Sequence, residues 1–248
     1  MNVILIGAEE IDKNDQVVLQ DRRSAHIINV LHGKCGDRVR IGILNGPLGL
    51  GRIIELTPGE KTARVVLKIS VTGHAPELPM VDLILALPRP IMLKKILTQA
   101  ASMGVGRIFL INAKRVEKSF FHATLLAESN YRSYLLQGLE QAVATKVPEV
   151  FIHNRFRPFV EDHLPIVIDD YSHCIVAHPG AAPLHHVDRH AIKGRVLLAV
   201  GPEGGWIEFE IDKFRKQGFV AVGLGERILR VDTAVVALLA QISMLRNL

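Results

Sequence analysis

Two stretches of this sequence bring together residue types that can do chemistry. The first is Val200-Gly201-Pro202-Glu203-Gly204-Gly205-Trp206. It follows an apolar run that reads as a buried strand and precedes a helix starting near Glu208. Open α/β sheets bind ligands beyond the carboxyl ends of their strands, and glycines there let a ligand reach the backbone where a side chain would block it. One glycine would signal only a tight turn; three, with a proline and a carboxylate, point to a cofactor loop. A phosphate loop is the weaker reading. The lysine-serine/threonine pair of a P-loop and the Rossmann glycine spacing are both missing, and Glu208 and Glu210 occupy the helix turn where a phosphate would sit. The second stretch runs from Leu224 through Gly225, Glu226, Arg227, Ile228, Leu229 and Arg230 to Ala234, again between a strand and a helix. Its backbone can close around a flat, hydrogen-bonding ring such as adenine, with Ile228 and Leu229 as apolar contacts. Arg230 faces the same cleft, although taken alone it reads more readily as half of a surface ion pair with Asp232.

Loops of this kind need a sheet to carry them. From residue 80 onward apolar strands alternate with helices, the signature of βαβ units and a largely parallel sheet. Strands are expected at 81–87, 107–111, 150–152, 174–178, 196–201 and 219–224. Helices are expected at 91–103, with Pro90 at its first turn and Gly104 at its end, then through 125–144, from about Glu208, and at 232–245. The last of these is apolar nearly all round, so it must be buried on several sides, in the core or against another subunit. Residues 1–72 have a different texture: short strands at 3–6, 17–19, 38–43, 51–56 and 63–71, with turns at Asn45-Gly46-Pro47 and Pro58-Gly59. One helix, Ala25 to Leu31, interrupts them, with Ser24 as candidate cap and Gly33 as candidate stop. This pattern predicts a small β-barrel. Residues 73–79, with two prolines and a glycine, read as the linker to an α/β domain over 80–248.

Composition narrows the functional classes. The chain has 248 residues and is 48% apolar, enough for one large core or two smaller ones without disulfides or metals. Cys35 and Cys174 fit neither a disulfide framework nor a zinc knuckle, which suits a reducing cytoplasm. The start MNVILIGAEE lacks a basic n-region and a cleavage site and reads as a first strand rather than a signal peptide. No apolar run approaches a membrane span. The net charge of +5 permits a polyanionic partner. Distribution says more: seven basic residues against the single acid Glu117 lie between Arg89 and Lys118, either a phosphate-binding surface or a solvated helix face with its loop.

GPEGGW and LGERILRVDTA, with the upstream LPRPIMLKKILTQAASMGVGRIFLINAKRVEKS, resemble the SPOUT superfamily of S-adenosylmethionine-dependent RNA methyltransferases. Within it they are most similar to the RsmE-type enzymes, which methylate N3 of a uridine in 16S ribosomal RNA. HIINVLHGKCGDRVRIG resembles that family's PUA-like barrel, so the resemblance spans essentially the whole chain. It implies a trefoil-knotted α/β domain, an exception to the rule against knots, and a homodimer with cofactor sites near its interface. It also implies S-adenosylmethionine as cofactor and ribosomal RNA or the small ribosomal subunit as partner. The sequence departs from the family pattern in three places. Val231-Asp232-Thr233-Ala234 stands for threonine-glutamate-threonine-alanine, His32 for an arginine, and Glu140-Gln141-Ala142 for glutamate-glutamine-serine.

On this resemblance the cofactor-binding residues are expected to be His178, Val200, Gly201, Pro202, Gly204, Gly205, Leu224, Gly225, Ile228, Leu229, Arg230 and Ala234. Methyl transfer from a sulfonium needs no metal; it needs an N3 nucleophile in line with the methyl group and removal of the imide proton. Arg230 is the expected stabiliser of charge on the uracil oxygens. Glu203 is expected to orient cofactor or substrate or to accept the proton, with capping of the following helix as an equal alternative. RNA capture is assigned to Arg22, Arg23, Lys34, Arg38 and Arg40 of the barrel, with Lys94, Lys95, Lys114 and Arg115. Trp206 reads as packing more readily than as a cofactor cover. His186 and His190 would share a helix face, yet the run 184–190 has no acidic partner motif, and no metal is expected. The alternatives are a SPOUT enzyme acting at another RNA position and a non-catalytic RNA-binding or assembly protein.

Overall fold

A computed structural model describes residues 2–57, 59, 63–187 and 192–246. The chain divides into two compact units, one of residues 1–78 and 136–147, the other of 79–135 and 148–248. No helix of the described residues is long and apolar enough to cross a membrane.

The first unit is a curled five-stranded sheet. Its strands are β1 (Ile4–Ile6), β2 (Gln16–Leu19), β3 (Arg38–Ile43), β4 (Leu48–Thr57) and β5 (Arg64–Val71), in the order β1-β3-β4-β5-β2. β1 runs parallel to β3 and the other pairs are antiparallel. Period-two alternation sends Val39 and Ile41 inward and Arg38 and Arg40 outward. Ile4 and Ile6 of one edge strand and Val17 and Leu19 of the other enter the same core, which requires the sheet to curl. Helix α1 (Arg22–Asn29) adds Ile27 to that core. It starts three residues before the expected Ala25 because the Asp21 carboxylate, not Ser24, caps it, accepting the Arg23 N–H at 2.8 Å. The Ser24 hydroxyl donates instead to the Asp21 carbonyl at 2.7 Å. The residue in left-handed conformation after the helix is His32, at φ 50°. Gly33 serves close approach: a Cβ there would lie 2.8 Å from Ile53 Cδ1. Pro58 of the second expected turn lies outside the described residues.

Residues 136–147 pack with this sheet although a linear reading groups them with the α/β portion. The Glu140 carboxylate, almost wholly buried, accepts both Arg22 guanidinium nitrogens at 2.5 and 2.9 Å. The Thr145 hydroxyl donates to the Gly46 carbonyl at 2.6 Å, and the Val147 N–H donates to the Asn45 side chain at 3.0 Å. Only the folded chain brings these partners together, so no composition shift announces them.

The second unit is built on six parallel strands: β6 (Val81–Ala86), β7 (Val105–Ile111), β8 (Glu149–His153), β9 (His173–Ala177), β10 (Val196–Val200) and β11 (Val220–Val222). Their order is β11-β9-β10-β6-β7-β8, and the central pair β6 and β10 is almost completely buried, as strands covered on both faces must be. The long helices are α2 (Pro90–Ser102), α3 (Glu128–Ala142), α4 (Glu208–Lys216) and α5 (Val231–Arg246). An irregular helical stretch over 156–170, unannounced by any periodicity, buries Phe159, Val160 and Leu164. Helix α5 is less enclosed than its composition suggests. Val231, Val235, Leu238, Leu239, Ile242 and Leu245 form a buried stripe, while Thr233, Ala240, Ser243 and Met244 are exposed. Its alanines count as apolar without demanding burial.

The amino-terminal edge of this sheet is held by Asp82, which has no exposed surface. Its carboxylate accepts the Arg107 N–H and Nε at 2.7 and 2.8 Å, an Arg195 guanidinium nitrogen at 2.7 Å and the Tyr171 hydroxyl at 2.6 Å. Burial and the hydrogen bond to Asp82 push the Tyr171 phenol well above its ordinary range. The starts of β6 and β7 and the approaches to β9 and β10 are thereby joined. Removing one partner of a buried ion pair leaves the others uncompensated. Asp82→Ala should therefore lower the stability of the second unit by about 3 kcal/mol or more, read from urea unfolding; a loss below about 1 kcal/mol would show that the arginines find solvent instead.

Candidate functional site

Because all six strands are parallel, their carboxyl ends lie on one edge, and the loops after the neighbours β11, β9 and β10 all leave from it. The loops after β9 and β11 are laced together by backbone. The His178 N–H donates to the Val222 carbonyl and the Gly223 N–H to the Ala182 carbonyl, both at 2.9 Å, and Pro183 bridges to Gly223. A Cβ on residue 223 would stand 2.3 Å from the Ala181 carbonyl oxygen, so the position admits only glycine. In sequence Gly223 lies inside the expected strand 219–224, whereas β11 ends at Val222 and leaves it in the loop.

The loop after β10 buries Val200, Gly201 and Pro202 and exposes Glu203 and Gly204. Gly205 takes a left-handed φ of 74° and Gly225 one of 98°, conformations that side-chain-bearing residues rarely adopt. A Cβ on Gly201 would come within 3.1 Å of the Trp206 indole. Trp206 itself is buried edge-on against Phe214, ring centroids 5.1 Å apart, and near Phe156, which makes it the floor of the loop.

Three polar contacts fix this loop to its neighbours. Glu203 does not cap α4; its Oε1 accepts the Arg89 N–H at 3.3 Å and lies 3.7 Å from Arg89 Nε. The cap comes from Glu210, whose buried carboxylate accepts the Ile207 N–H at 3.0 Å and the Lys114 N–H at 2.7 Å. The Arg115 guanidinium donates to the Gly204 carbonyl. Loops after β10, β6 and β7, three adjacent strands, are thus joined through side chains. Arg89 and Glu210 are further residues that build the site and that the motif reading left out.

The second loop is open. Ile228 is 84% exposed, and Leu229 and Arg230 are also exposed. Arg230 forms no ion pair with Asp232, whose Oδ1 is buried without a hydrogen-bond partner among the described residues. Leu224, His178 and Ala234 are half-buried. The expected cofactor residues therefore fall on three adjacent strand ends and the start of α5.

The expected RNA-binding residues divide by what their charges already meet. Arg22 is committed to Glu140. Arg23 bonds Glu10, Asp21 and the Leu5 carbonyl, and the Glu10 carboxylate holds its guanidinium well above the ordinary range. Lys34, Arg38 and Arg40 are exposed in the first unit; Lys94, Lys95, Lys114 and Arg115 are exposed in the second. The Lys94 ammonium sits 5.4 Å above the Tyr134 ring. The histidine run reaches into 188–191, outside the described residues.

Comparison with known proteins agrees with this architecture. A profile of RNA methyltransferase domains matches residues 76–243. The ribosomal RNA small subunit methyltransferase E of Treponema pallidum (strain Nichols) is 34% identical over 239 residues, covering 96% of this chain and 88% of that protein. The chain belongs to the ribosomal RNA small subunit methyltransferase E family. A Bacillus subtilis (strain 168) member of the family is 28% identical over 227 residues, 88% of this chain and 86% of its own. A solved family member from Neisseria gonorrhoeae, bound to S-adenosyl methionine, shares the fold with a TM-score of 0.74 over 98% of both chains at 22% identity.

The lacing of the two loops generates a measurable contrast in this methyltransferase E family member. Gly223→Ala must force a backbone shift, an overpacking that costs about 1–3 kcal/mol, and should speed hydrogen exchange in both 178–183 and 223–230. Gly225→Ala, which has open space and only an unfavourable φ, should cost about 1 kcal/mol and leave 178–183 protected. Equal effects from the two substitutions would dissolve the distinction.

Proposed function

We propose that this chain is an S-adenosylmethionine-dependent methyltransferase of small-subunit ribosomal RNA that methylates N3 of a uridine in the cytoplasm. The observation that carries the reading is that the 201–205 and 224–230 loops both leave the carboxyl edge of one parallel sheet, from β10 and β11 on either side of β9, in a chain that belongs to this family over nearly its whole length. The residues present suit the cofactor. Left-handed Gly205 and Gly225 leave backbone groups accessible, and Ile228 and Leu229 offer exposed apolar surface. His178, Val200, Gly201, Pro202, Gly204, Leu224 and Ala234 would complete the pocket, and the cofactor would supply an electrophilic methyl group on a sulfonium.

The protein's part is positioning and charge. The Arg230 guanidinium, unpaired among the described residues, would stabilise the negative charge that gathers on the uracil oxygens as N3 loses its proton. Glu203, beside Arg89, would orient the substrate, and its carboxylate is the candidate acceptor of the imide proton. The laced 178–183 and 223–230 backbone supports a trefoil-knotted second unit, and the curled sheet supports a PUA-like barrel in the first.

Arg230→Ala should bind cofactor and RNA nearly as the parent does, while single-turnover transfer of labelled methyl to unmodified small subunits falls about a hundredfold or more. Parental rates would strip Arg230 of the role, and lost cofactor affinity in calorimetry would reassign it to the pocket. Cofactor binding without any transfer by the parent would instead mark a protein that kept the fold and lost turnover.

The working form is a homodimer through the second unit, a reading supported by Met244 and the exposed side of α5. Light scattering should report two copies per particle at micromolar concentration. An active monomer would end this reading.

A further inference from the structure

The outer face of the first unit's sheet carries charges in an arrangement that folding does not call for. In register, Arg38 of β3 stands opposite Arg52 of β4, and Arg52 opposite Lys68 of β5. All three are exposed, and the flanking Val39, Ile53, Leu67 and Ile69 face the core. Like charges directly opposite one another destabilise a sheet, because neighbouring strands are only about 4.8 Å apart. Lys68 is relieved by the Asn14 carbonyl and, at 3.4 Å, by Asp15. Arg38, Arg52 and Arg40, two residues along the same face, form no ion pair with a described residue. That is not the habit of this unit: Arg22, Arg23 and Arg64 each meet a carboxylate.

Beside these arginines the sheet opens. The parallel pairing of β1 with β3 begins at Ile4, the first residue of β1, and Ile41, so the first half of β3, Arg38 to Arg40, has no partner on that side. Asn2 is drawn away, its N–H donating to the Glu140 carbonyl at 3.0 Å and its side-chain amide to the Gln141 carbonyl at 2.8 Å. The result is a cleft of about 650 Å³ lined by Asn2, Leu31, Gly33, Arg38 and Arg40 among others. That is within the size range of small-molecule sites and ample for a nucleoside. Leu31, 47% exposed, gives it an apolar wall, and guanidinium planes stack on unpaired bases.

We propose that Arg38, Arg40 and Arg52, together with this cleft, bind a single-stranded segment of RNA, the arginines on its phosphates and one unstacked base in the cleft. The inference rests on the reading of the chain as a ribosomal RNA methyltransferase. It adds Arg52 to the surface, sets aside Arg22 and Arg23, whose charges are spent inside the unit, and specifies an unpaired strand. A duplex would satisfy the arginines but has no free base to place in the cleft.

The test titrates the full-length protein with a labelled single-stranded oligoribonucleotide and with a duplex of the same composition across a salt series. Each phosphate contact on a single strand contributes about 0.7 to the slope of log affinity against log salt. Arg38→Gln, Arg40→Gln and Arg52→Gln should each flatten that slope by about this amount and raise KM for ribosomal RNA more than they lower kcat. Leu31→Ala should weaken binding and leave the slope as it is. Arg52→Gln should hold or raise the thermal midpoint, because it relieves repulsion, whereas an arginine kept for packing would lower it. Parental slopes in all three arginine variants, or tighter binding of the duplex, would overturn the proposal. If the parent transfers no methyl group to ribosomal RNA yet the slopes change as expected, the functional reading fails and the RNA site stands.

Discussion

A carboxylate with almost no contact with water, Glu210, joins two loops that no strand pairing connects. β7 and β10 are separated by β6 in the sheet, yet Lys114 N–H and Ile207 N–H both end on this one side chain. Burying an ionised carboxylate is costly unless its oxygens are satisfied; here each oxygen takes a backbone donor, and charge-assisted bonds of this kind are the strong ones. The glycine loop lies between β10 and α4, the helix that Glu210 caps and ties to the loop after β7. Its flexibility in sequence is therefore bounded in space. The loop can be glycine-rich for ligand approach without being loose, because the restraint comes from a residue just beyond it.

The two edges of the parallel sheet are built on opposite principles. At the amino-terminal edge, the Asp82 carboxylate gathers Arg107, Arg195 and Tyr171, with both guanidinium groups 5.5 Å from the Tyr171 ring. At the carboxyl edge, backbone is left accessible and Arg230, Ile228 and Leu229 face water. Buried side-chain hydrogen bonds are concentrated at the edge away from the candidate site. Exposure is concentrated where a cofactor and a base would have to enter.

How much of this was legible from sequence follows from what each feature depends on. Strand and helix order in the second unit depends on local periodicity and was readable, as were Pro90 at the start of α2 and Gly104 after it. The start of α1 is not fixed by its sequence, because Asp21 and Ser24 are both good caps and only geometry chooses between them. The helical stretch at 156–170 changes its hydrogen-bonding pattern from turn to turn, so no single period marks it. Gly201, Gly204 and Gly205 stand out because they cluster, and Gly225 because it opens the second loop; Gly223, with the closest backbone approach of the group, does not, because the expected strand 219–224 encloses it. Glu210 was weighed only as an acid that would repel phosphate. Its two backbone partners come from distant positions in the chain, and no spacing rule reaches them.

Charge shows the same limit most clearly. By composition Arg22, Arg23, Arg38 and Arg40 are equivalent candidates for a polyanion, and Arg52 stands out in no motif. In the fold, Arg22 faces a carboxylate supplied by residue 140, and Arg23 one supplied by residue 10 and another by residue 21. A cation whose counter-charge is already within hydrogen-bonding distance releases few counterions when a phosphate approaches, because the pair must first be broken. What distinguishes a binding surface from a basic composition is therefore the set of cations the protein leaves without partners. Strand register decides that set: it places Arg38, Arg52 and Lys68 abreast, and register is fixed only when the whole sheet closes around its core.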